Sequence, residues 1–230
     1  MSSPAMTQTP DRSQMNTKTI TGIAMLTGIA YIVMLLSKFL PQVMGFLQFD
    51  MKDTVICIGG FLFGPMAAAV ISILVPLIEM ISASDTGPIG MIMNILATSS
   101  FCCTASYIYK RRHTKSGAVL GLAAGVVVLT AVMLSWNYLI TPIYMTGVSR
   151  ADVAAMLPTI FLPFNLVKGG MNMAATLLLY KPVVTAMRKA GLVPPSQNSQ
   201  EKKFNAGFLL FSVALLATFV IFALVLAGVL

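Results

Sequence analysis

The sequence predicts an all-α integral membrane protein, and three observations carry that prediction. Of 230 residues, 57% are hydrophobic and only 10% are charged, where soluble domains average about 25% charged. The mean hydropathy is +0.86, and a chain this small cannot bury so much apolar surface inside a water-soluble globule. The apolar residues also gather in blocks close to the ~20 residues that a helix needs to cross a bilayer core. These features exclude a soluble enzyme, a disordered chain and a nucleic-acid-binding domain. The balance of 15 Lys+Arg against 7 Asp+Glu would otherwise suggest nucleic acid; in so apolar a chain it reads as the charge that orients membrane spans.

A first span is expected from Ile20 to Ser37, after a polar tail over residues 1–17 that lacks a signal-peptide cleavage pattern. The block Thr54 to Ser82 is too long for one crossing and is interrupted by Gly64-Pro65, a strong breaker. It reads as two helices, Asp53 to Phe63 and Pro65 to Ser82, the first of them short. Further spans follow at Pro88 to Tyr109, Gly117 to Ile140 and Leu157 to Tyr180. A linker over 191–205 and a last apolar segment, Ala206 to Leu230, end the chain. The expected organisation is a tail at 1–17, a six-helix membrane domain at 18–190, the linker, and an additional C-terminal transmembrane helix at 206–230.

Charge supplies the orientation. With the N-terminus cytoplasmic, the basic loops Lys110 to Lys115 and Lys181 to Lys203 lie inside as well. Of the 15 basic residues, only Lys38, Lys52, Arg150 and Lys168 then fall elsewhere. That agreement with the positive-inside rule requires the split at Gly64-Pro65.

No phosphate-binding GxxxxGK[ST] loop and no HExxH motif occurs, so neither chemistry is expected. The single histidine, His113, sits among basic residues and reads as solvated. Cys57, Cys102 and Cys103 fall in apolar stretches without metal-ligand spacing and read as small packing residues.

Ionisable groups inside a membrane are costly and mark function. With the orientation above, they collect toward the outer face. Asp50, Lys52 and Asp53 stand where the second span begins, Glu79 ends the third, and Asn94 lies about two turns into the fourth. Asn137 is in the outer part of the fifth span, and Asn165 and Lys168 are in the outer half of the sixth. Asn165 and Lys168 are three residues apart and share a helix face. Lys168 lies roughly 16 Å below Leu157 at helical rise, near the middle of a ~30 Å core. Pro163 is expected to kink this helix. The pattern suggests a polar pocket open to the outside above an apolar floor.

Structural alternatives stand beside each reading. An intramembrane Asn can be helix–helix glue. Asp50, Lys52 and Asp53 can be a solvated loop with an N-capping Asp, and Glu79 can be interfacial. Trp136, Tyr138 and Tyr144 fit an interfacial aromatic belt as well as a ligand stack. For Lys168 the alternative is a structural salt bridge to a carboxylate such as Asp53.

The segments FLQFDMKDTVICIGGFLFGPMAAAV (Phe46 to Val70), GPIGMIMN (Gly87 to Asn94), NYLITPIYM (Asn137 to Met145) and LPFNLVKGGMN (Leu162 to Asn172) resemble the riboflavin-binding S components of energy-coupling-factor (ECF) transporters. The likeness covers roughly Lys18 to Lys189, with PFNLVKG its most specific part. It implies a six-helix bundle of the S-component type, here extended by the extra C-terminal helix. It further implies a multi-pass subunit of the bacterial plasma membrane that takes riboflavin from outside, with no chemistry and no cofactor of its own. The ligand contacts it implies fall on Asp50 to Asp53 (with Met51 among them) before the second span, on Asn137, and on Asn165 and Lys168; Phe49, Glu79 and Asn94 complete the candidate set. It implies as partners a transmembrane coupling protein and two cytoplasmic ATPases. The small residues Ala24 and Gly28 of the first span, at small-xxx-small spacing, are the candidate contact with the coupling protein. Two features depart from the pattern: such proteins end soon after the sixth span, and Lys52 stands where a small or polar residue is expected.

The chemistry agrees with that implication. A flavin ring presents alternating acceptors and one N–H donor; Asn amides supply donor and acceptor, and Lys supplies donors. Carboxylates can accept from ribityl hydroxyls, and Met side chains (17 in all) can sandwich the ring. The spans contain no Arg, which favours the free vitamin over FMN. The alternatives are an S component for another vitamin or a flavin analogue such as FMN or roseoflavin, a self-sufficient carrier, and a membrane-embedded enzyme using Glu79 or Asp53 as a base.

Overall fold

Gly64 and Pro65 divide the second apolar block as their chemistry requires. Gly64 has φ 96°, a conformation that glycine reaches without a Cβ clash, and Pro65 opens the next helix at its first turn, where its missing N–H costs nothing. The computed structural model of the chain describes residues 17–83, 86–145, 147–193 and 206–229. Its helices are α1 (Thr17–Ser37), α2 (Lys52–Phe63), α3 (Pro65–Ser82), α4 (Gly87–Arg112), α5 (Lys115–Tyr144), α6 (Arg150–Met156), α7 (Leu162–Lys189) and α8 (Ala206–Leu226). A two-stranded hairpin, β1 (Gln42–Val43) with β2 (Leu47–Gln48), lies between α1 and α2. The tail at 1–16 and most of the expected linker, 194–205, lie outside the described residues.

Among the described residues, six helical stretches are long and apolar enough to cross a membrane: α1, α3, α4, α5, the continuous run Arg150–Lys189, and α8. The protein is an all-α multi-pass membrane protein. The expected starts and ends of α1 to α4 hold to within three residues, whereas the sixth expected span runs from Arg150 to Lys189 instead of from Leu157 to Tyr180, and α5 continues past Ile140 to Tyr144 through Pro142. Asn137 therefore lies about two turns inside the helix instead of in its last turn.

The run Arg150–Lys189 is not uniform. Ser149 and Asp152 form a reciprocal capping box at its start. Leu157–Phe161 is a π-helical turn, closed by the Leu162 N–H donating to the Leu157 carbonyl. Pro163, whose lack of an N–H breaks the regular ladder, follows directly, so the expected kink takes the form of a π-turn.

The twelve residues of α2 span about 18 Å, well short of a ~30 Å core. Nine of its positions are buried, Lys52, Asp53 and Thr54 included, because α1, α3, α4 and α7 all pack around it. The 38–51 loop and its hairpin, which turns through Met44 (φ 55°) and Gly45 (φ 76°), connect α1 to α2. Helices α4 and α5 meet backbone to backbone: a Cβ on Gly121 would lie 2.7 Å from the Ala105 carbonyl oxygen, and one on Gly125 2.8 Å from that of Phe101.

Apolar packing forms two clusters. One joins α1–α5 and α7 around Leu26, Ile56, Ile71, Phe101 and Leu129; the other joins the hairpin to α6, α7 and α8 around Val43, Phe49, Phe161 and Phe164. Cys57 and Cys102 pack within the first cluster as free, buried thiols, with Sγ atoms 3.3 Å apart. His113 is exposed and ends α4 in a left-handed conformation (φ 43°), its ring 5.6 Å from that of Tyr109.

The close approach of α4 and α5 predicts that Gly121→Val lowers the thermal stability of the detergent-solubilised protein by about 1–3 kcal/mol, the usual cost of overpacking. Gly28→Val, on a surface with no atom within 4 Å of the added Cβ, should leave it unchanged. Equal melting of the two variants in a thermal scan would contradict the packing.

Candidate functional site

The ends of α1, α3 and α5, the starts of α4 and α7, and the 38–51 loop surround one cavity of about 290 Å³, near the lower end of the range for small-molecule sites. It lies at the end of the bundle opposite the basic residues Lys110, Arg111, Arg112 and Lys115. Its walls combine apolar side chains (Met34, Leu47, Met93, Met133, Phe164) with polar ones (Lys38, Asp50, Lys52, Glu79, Asn94, Asn137, Asn165, Lys168).

A chain of charges organises these walls. Asp50 Oδ2 accepts from Lys168 Nζ at 2.8 Å and from Lys52 Nζ at 3.1 Å. Lys52 Nζ also lies 3.8 Å from Glu79 Oε2, which accepts from Asn94 Nδ2 at 3.3 Å. The network thus connects α7, the loop, α2, α3 and α4. Lys52 is 1% exposed, and its charge is tolerable there because two carboxylates face it.

Asn172 fixes the loop-to-helix junction from α7. Its Nδ2 donates to the Asp50 carbonyl at 2.8 Å, while its Oδ1 accepts from the Thr54 N–H at 3.0 Å and the Thr54 hydroxyl at 2.9 Å. Met51, the residue before α2, provides no side-chain cap, so an amide from another helix satisfies the orphan donor of the first turn. The Met51 N–H donates to Ser37 Oγ at 3.1 Å, which ties the same junction to α1.

The amides on the cavity wall are only half satisfied. Asn137 Oδ1 accepts from the Thr141 hydroxyl at 3.2 Å, and Asn165 Nδ2 donates to the Phe161 carbonyl at 2.7 Å. Among the described residues this leaves Asn137 Nδ2 as a donor, and Asn165 Oδ1 and Asn94 Oδ1 as acceptors, without protein partners. Both Asn137 and Asn165 are 3% exposed. These amides line the cavity, and Asp50 Oδ1 beside them is a buried acceptor without a partner among the described residues, so the wall offers groups that a partner outside the chain can complete.

Of the candidate residues, Asp50, Glu79, Asn94, Asn137, Asn165 and Lys168 come together on this one cavity. Phe49, Met51 and Asp53 do not line it. Phe49 stands behind the wall, its ring 4.9 Å from that of Phe164. Met51 packs in the outer apolar cluster. Asp53 is turned away into the bundle, where its Oδ1 accepts from the Thr98 hydroxyl of α4 at 2.8 Å. The salt-bridge partner of Lys168 is accordingly Asp50, not Asp53: the chain enters α2 between them, and the helical turn sends the two carboxylates in different directions. Tyr138 and Tyr144 are exposed, as a belt requires, whereas Trp136 is half-buried against the core.

Sequence reasoning missed Lys38, Gln42, Phe46 and Gln48, which reach the cavity from the end of α1 and the hairpin. The available signal was Gly45 alone, a residue suited to a left-handed turn, between Gln42-Val43 and Leu47-Gln48. It also missed Asn172, four residues beyond Lys168 and so on the same helical face. Ala24 and Gly28 lie on the exposed face of α1, far from these walls in sequence and absent from the cavity lining.

Comparison with known proteins agrees with this architecture. The riboflavin transporter RibU of Staphylococcus aureus is 30% identical over 182 residues, covering 76% of this chain and 95% of that protein. The riboflavin transporter FmnP of Bacillus subtilis is 27% identical over 187 residues, covering 76% of this chain and 98% of that protein. A solved structure described as the S component of a bacterial ECF transporter superposes with a TM-score of 0.62 at 27% identity, covering 74% of this chain and 98% of that one. The sequence model of the family described as the substrate-specific component of ECF transporters matches residues 18–180. With that match over most of its length and the same helical architecture, the chain belongs to the substrate-specific (S) components of ECF transporters.

Proposed function

We propose that this chain captures riboflavin from the extracellular side and delivers it for import, without catalysing a reaction. The observation that carries the reading is the half-satisfied amide ring: donors and acceptors held on a mostly apolar cavity at the end of the bundle away from the basic loops. Asn137 Nδ2 suits a flavin carbonyl, Asn165 Oδ1 suits the ring N–H, and Lys168 keeps donors to spare after its bond to Asp50. Met93, Met133 and Phe164 supply faces against which a flat ring can lie. The half-buried carboxylate of Glu79 can accept from ribityl hydroxyls. The relatives named as riboflavin transporters support the same ligand.

The orientation rests on the basic residues at the far end of α4, α5 and α7, which favour a cytoplasmic N-terminus. Transport in this reading is driven by a coupling membrane protein and two cytoplasmic ATPases. The exposed small residues Ala24 and Gly28 of α1 form the contact with the coupling protein, because the absence of side chains there allows close helix approach.

The direct test is equilibrium titration of the purified protein with riboflavin, followed by quenching of flavin fluorescence. Saturable, stoichiometric quenching is expected; indifference to riboflavin with binding of another vitamin would move the chain to a different S-component specificity. Lys168→Ala should weaken binding by about 1.5–3 kcal/mol, the range for a hydrogen bond to a charged group. Asp50 retains Lys52 in that variant, so the fold should survive, and unchanged affinity would reduce Lys168 to a structural ion pair. Gly28→Leu should keep riboflavin affinity and lose co-purification with the coupling protein; retained assembly would place the contact elsewhere.

A further inference from the structure

Helix α8 lies beyond the residues matched by the family model, which end at 180. It is nevertheless seated on the bundle at three levels. Near its start, Phe208 packs on the first apolar cluster and lies under Lys115 Nζ at 5.5 Å. At its middle, the Phe219 ring covers Gly170 of α7, so closely that a Cβ on Gly170 would fall 2.3 Å from the ring. Toward its end, Ala223 and Leu226 pack with Phe161, Phe164, Val167 and Met171. Leu210, Phe211, Ile221, Phe222 and Val225 remain exposed, as on a surface covered by lipid.

The middle contact falls on the weakest part of α7. Gly169 and Gly170 are consecutive glycines in a helix interior, where the freedom of the unfolded backbone opposes helix formation. They sit directly after Lys168 and just before Asn172, the two residues of α7 that hold Asp50. The pair is held from two sides: a Cβ on Gly169 would meet Val126 and Leu129 of α5 at 3.1–3.2 Å, while Gly170 is covered by Phe219. At 3.6 residues per turn, Gly170 points roughly opposite to Lys168, so the ring of α8 backs the face that presents Lys168 and Asn165 to the cavity. Phe164, a cavity-wall residue, belongs to the same packed cluster as Phe219 and Ala223.

We propose that α8 is a built-in brace for the binding helix, and that Phe219, seated on Gly170, is a positioning residue for the Asn165–Lys168 face of α7. As a statement about riboflavin affinity this rests on the proposed function; as a statement about the order of α7 it does not.

The test uses the full-length protein in detergent and two readouts. Hydrogen exchange across residues 162–172 needs no ligand, and riboflavin dissociation is followed by fluorescence at a temperature well below the melting of every variant. Phe219→Ala should speed exchange in that segment, leave α4 unaffected, and raise the riboflavin dissociation constant by about tenfold, mainly through faster release. Phe219→Leu should restore most of both, since it keeps an apolar body over the glycine. Gly170→Ala should reproduce the defect alone and be relieved in the Phe219→Ala background, where the obstructing ring is gone. Phe211→Ala, on the lipid-facing side, should change neither readout. Unaltered exchange at 162–172 in Phe219→Ala, even with a lowered melting temperature, would overturn the proposal. So would faster exchange with unaltered riboflavin affinity. A wild-type chain that ignores riboflavin would defeat the functional reading instead, and the exchange data would still decide the role of Phe219.

Discussion

One carboxylate oxygen, Asp50 Oδ2, sits between the ammonium groups of Lys52 and Lys168, and the cavity depends on that arrangement. Each of these charges buried alone would cost several kcal/mol of lost hydration. Together they satisfy one another only if the loop, α2 and α7 meet at a single point. That requirement fixes where α2 begins and explains why it is a half-length helix: its first residue, Lys52, must reach Asp50 in the interior. The remaining depth of the bundle at that place is left to a loop and to space. The cavity is thus a consequence of where the charges have to meet.

The sharing has a second effect. Asp50 engages Lys168 through one contact, and Lys52 contributes the other positive charge. An ammonium group has three donors, so Lys168 is anchored without being exhausted. Asn137 and Asn165 are in a similar state, each with one end of the amide held by its own helix. Their orientation is set before a ligand arrives, which limits the ordering cost of binding. The partly unpaired amides also penalise ligands that cannot complete them, and a site of this kind discriminates more strongly than apolar shape alone. In the proposed reading, the methionines on the wall would tolerate small differences in ring shape, and selectivity would reside in the polar atoms.

Much of this was legible in the sequence because membranes restrict what a chain can do. The apolar blocks, the Gly64-Pro65 break and the asymmetric distribution of Lys and Arg identify the helices and the end of the bundle where the polar residues gather. The three-residue spacing of Asn165 and Lys168 puts them on one helical face, and both line the cavity. The partner of Lys168 was not legible. Asp50 and Asp53 are three residues apart and would share a face on a continuous helix; only the start of α2 at Lys52 separates them, and its location depends on Asn172 and Ser37, distant in sequence. The two-residue strands of the hairpin are too short to show a period, so Gln42, Phe46 and Gln48 stayed hidden. Helix α8 was recognised as a span, but its seat on Gly170 depends on a ring meeting a missing side chain, which no pattern in either segment displays.

In the proposed function the cavity opens outward, Asn137 is on its wall, and a flavin fills it. Labelling of Asn137→Cys by a membrane-impermeant maleimide tests these three points together, in a background where Cys57, Cys102 and Cys103 are replaced by Ala. Intact cells should give modification, and inside-out vesicles should not. Riboflavin added before the reagent should suppress it. Modification from the cytoplasmic side alone, or labelling from outside that riboflavin leaves unchanged, would contradict the account.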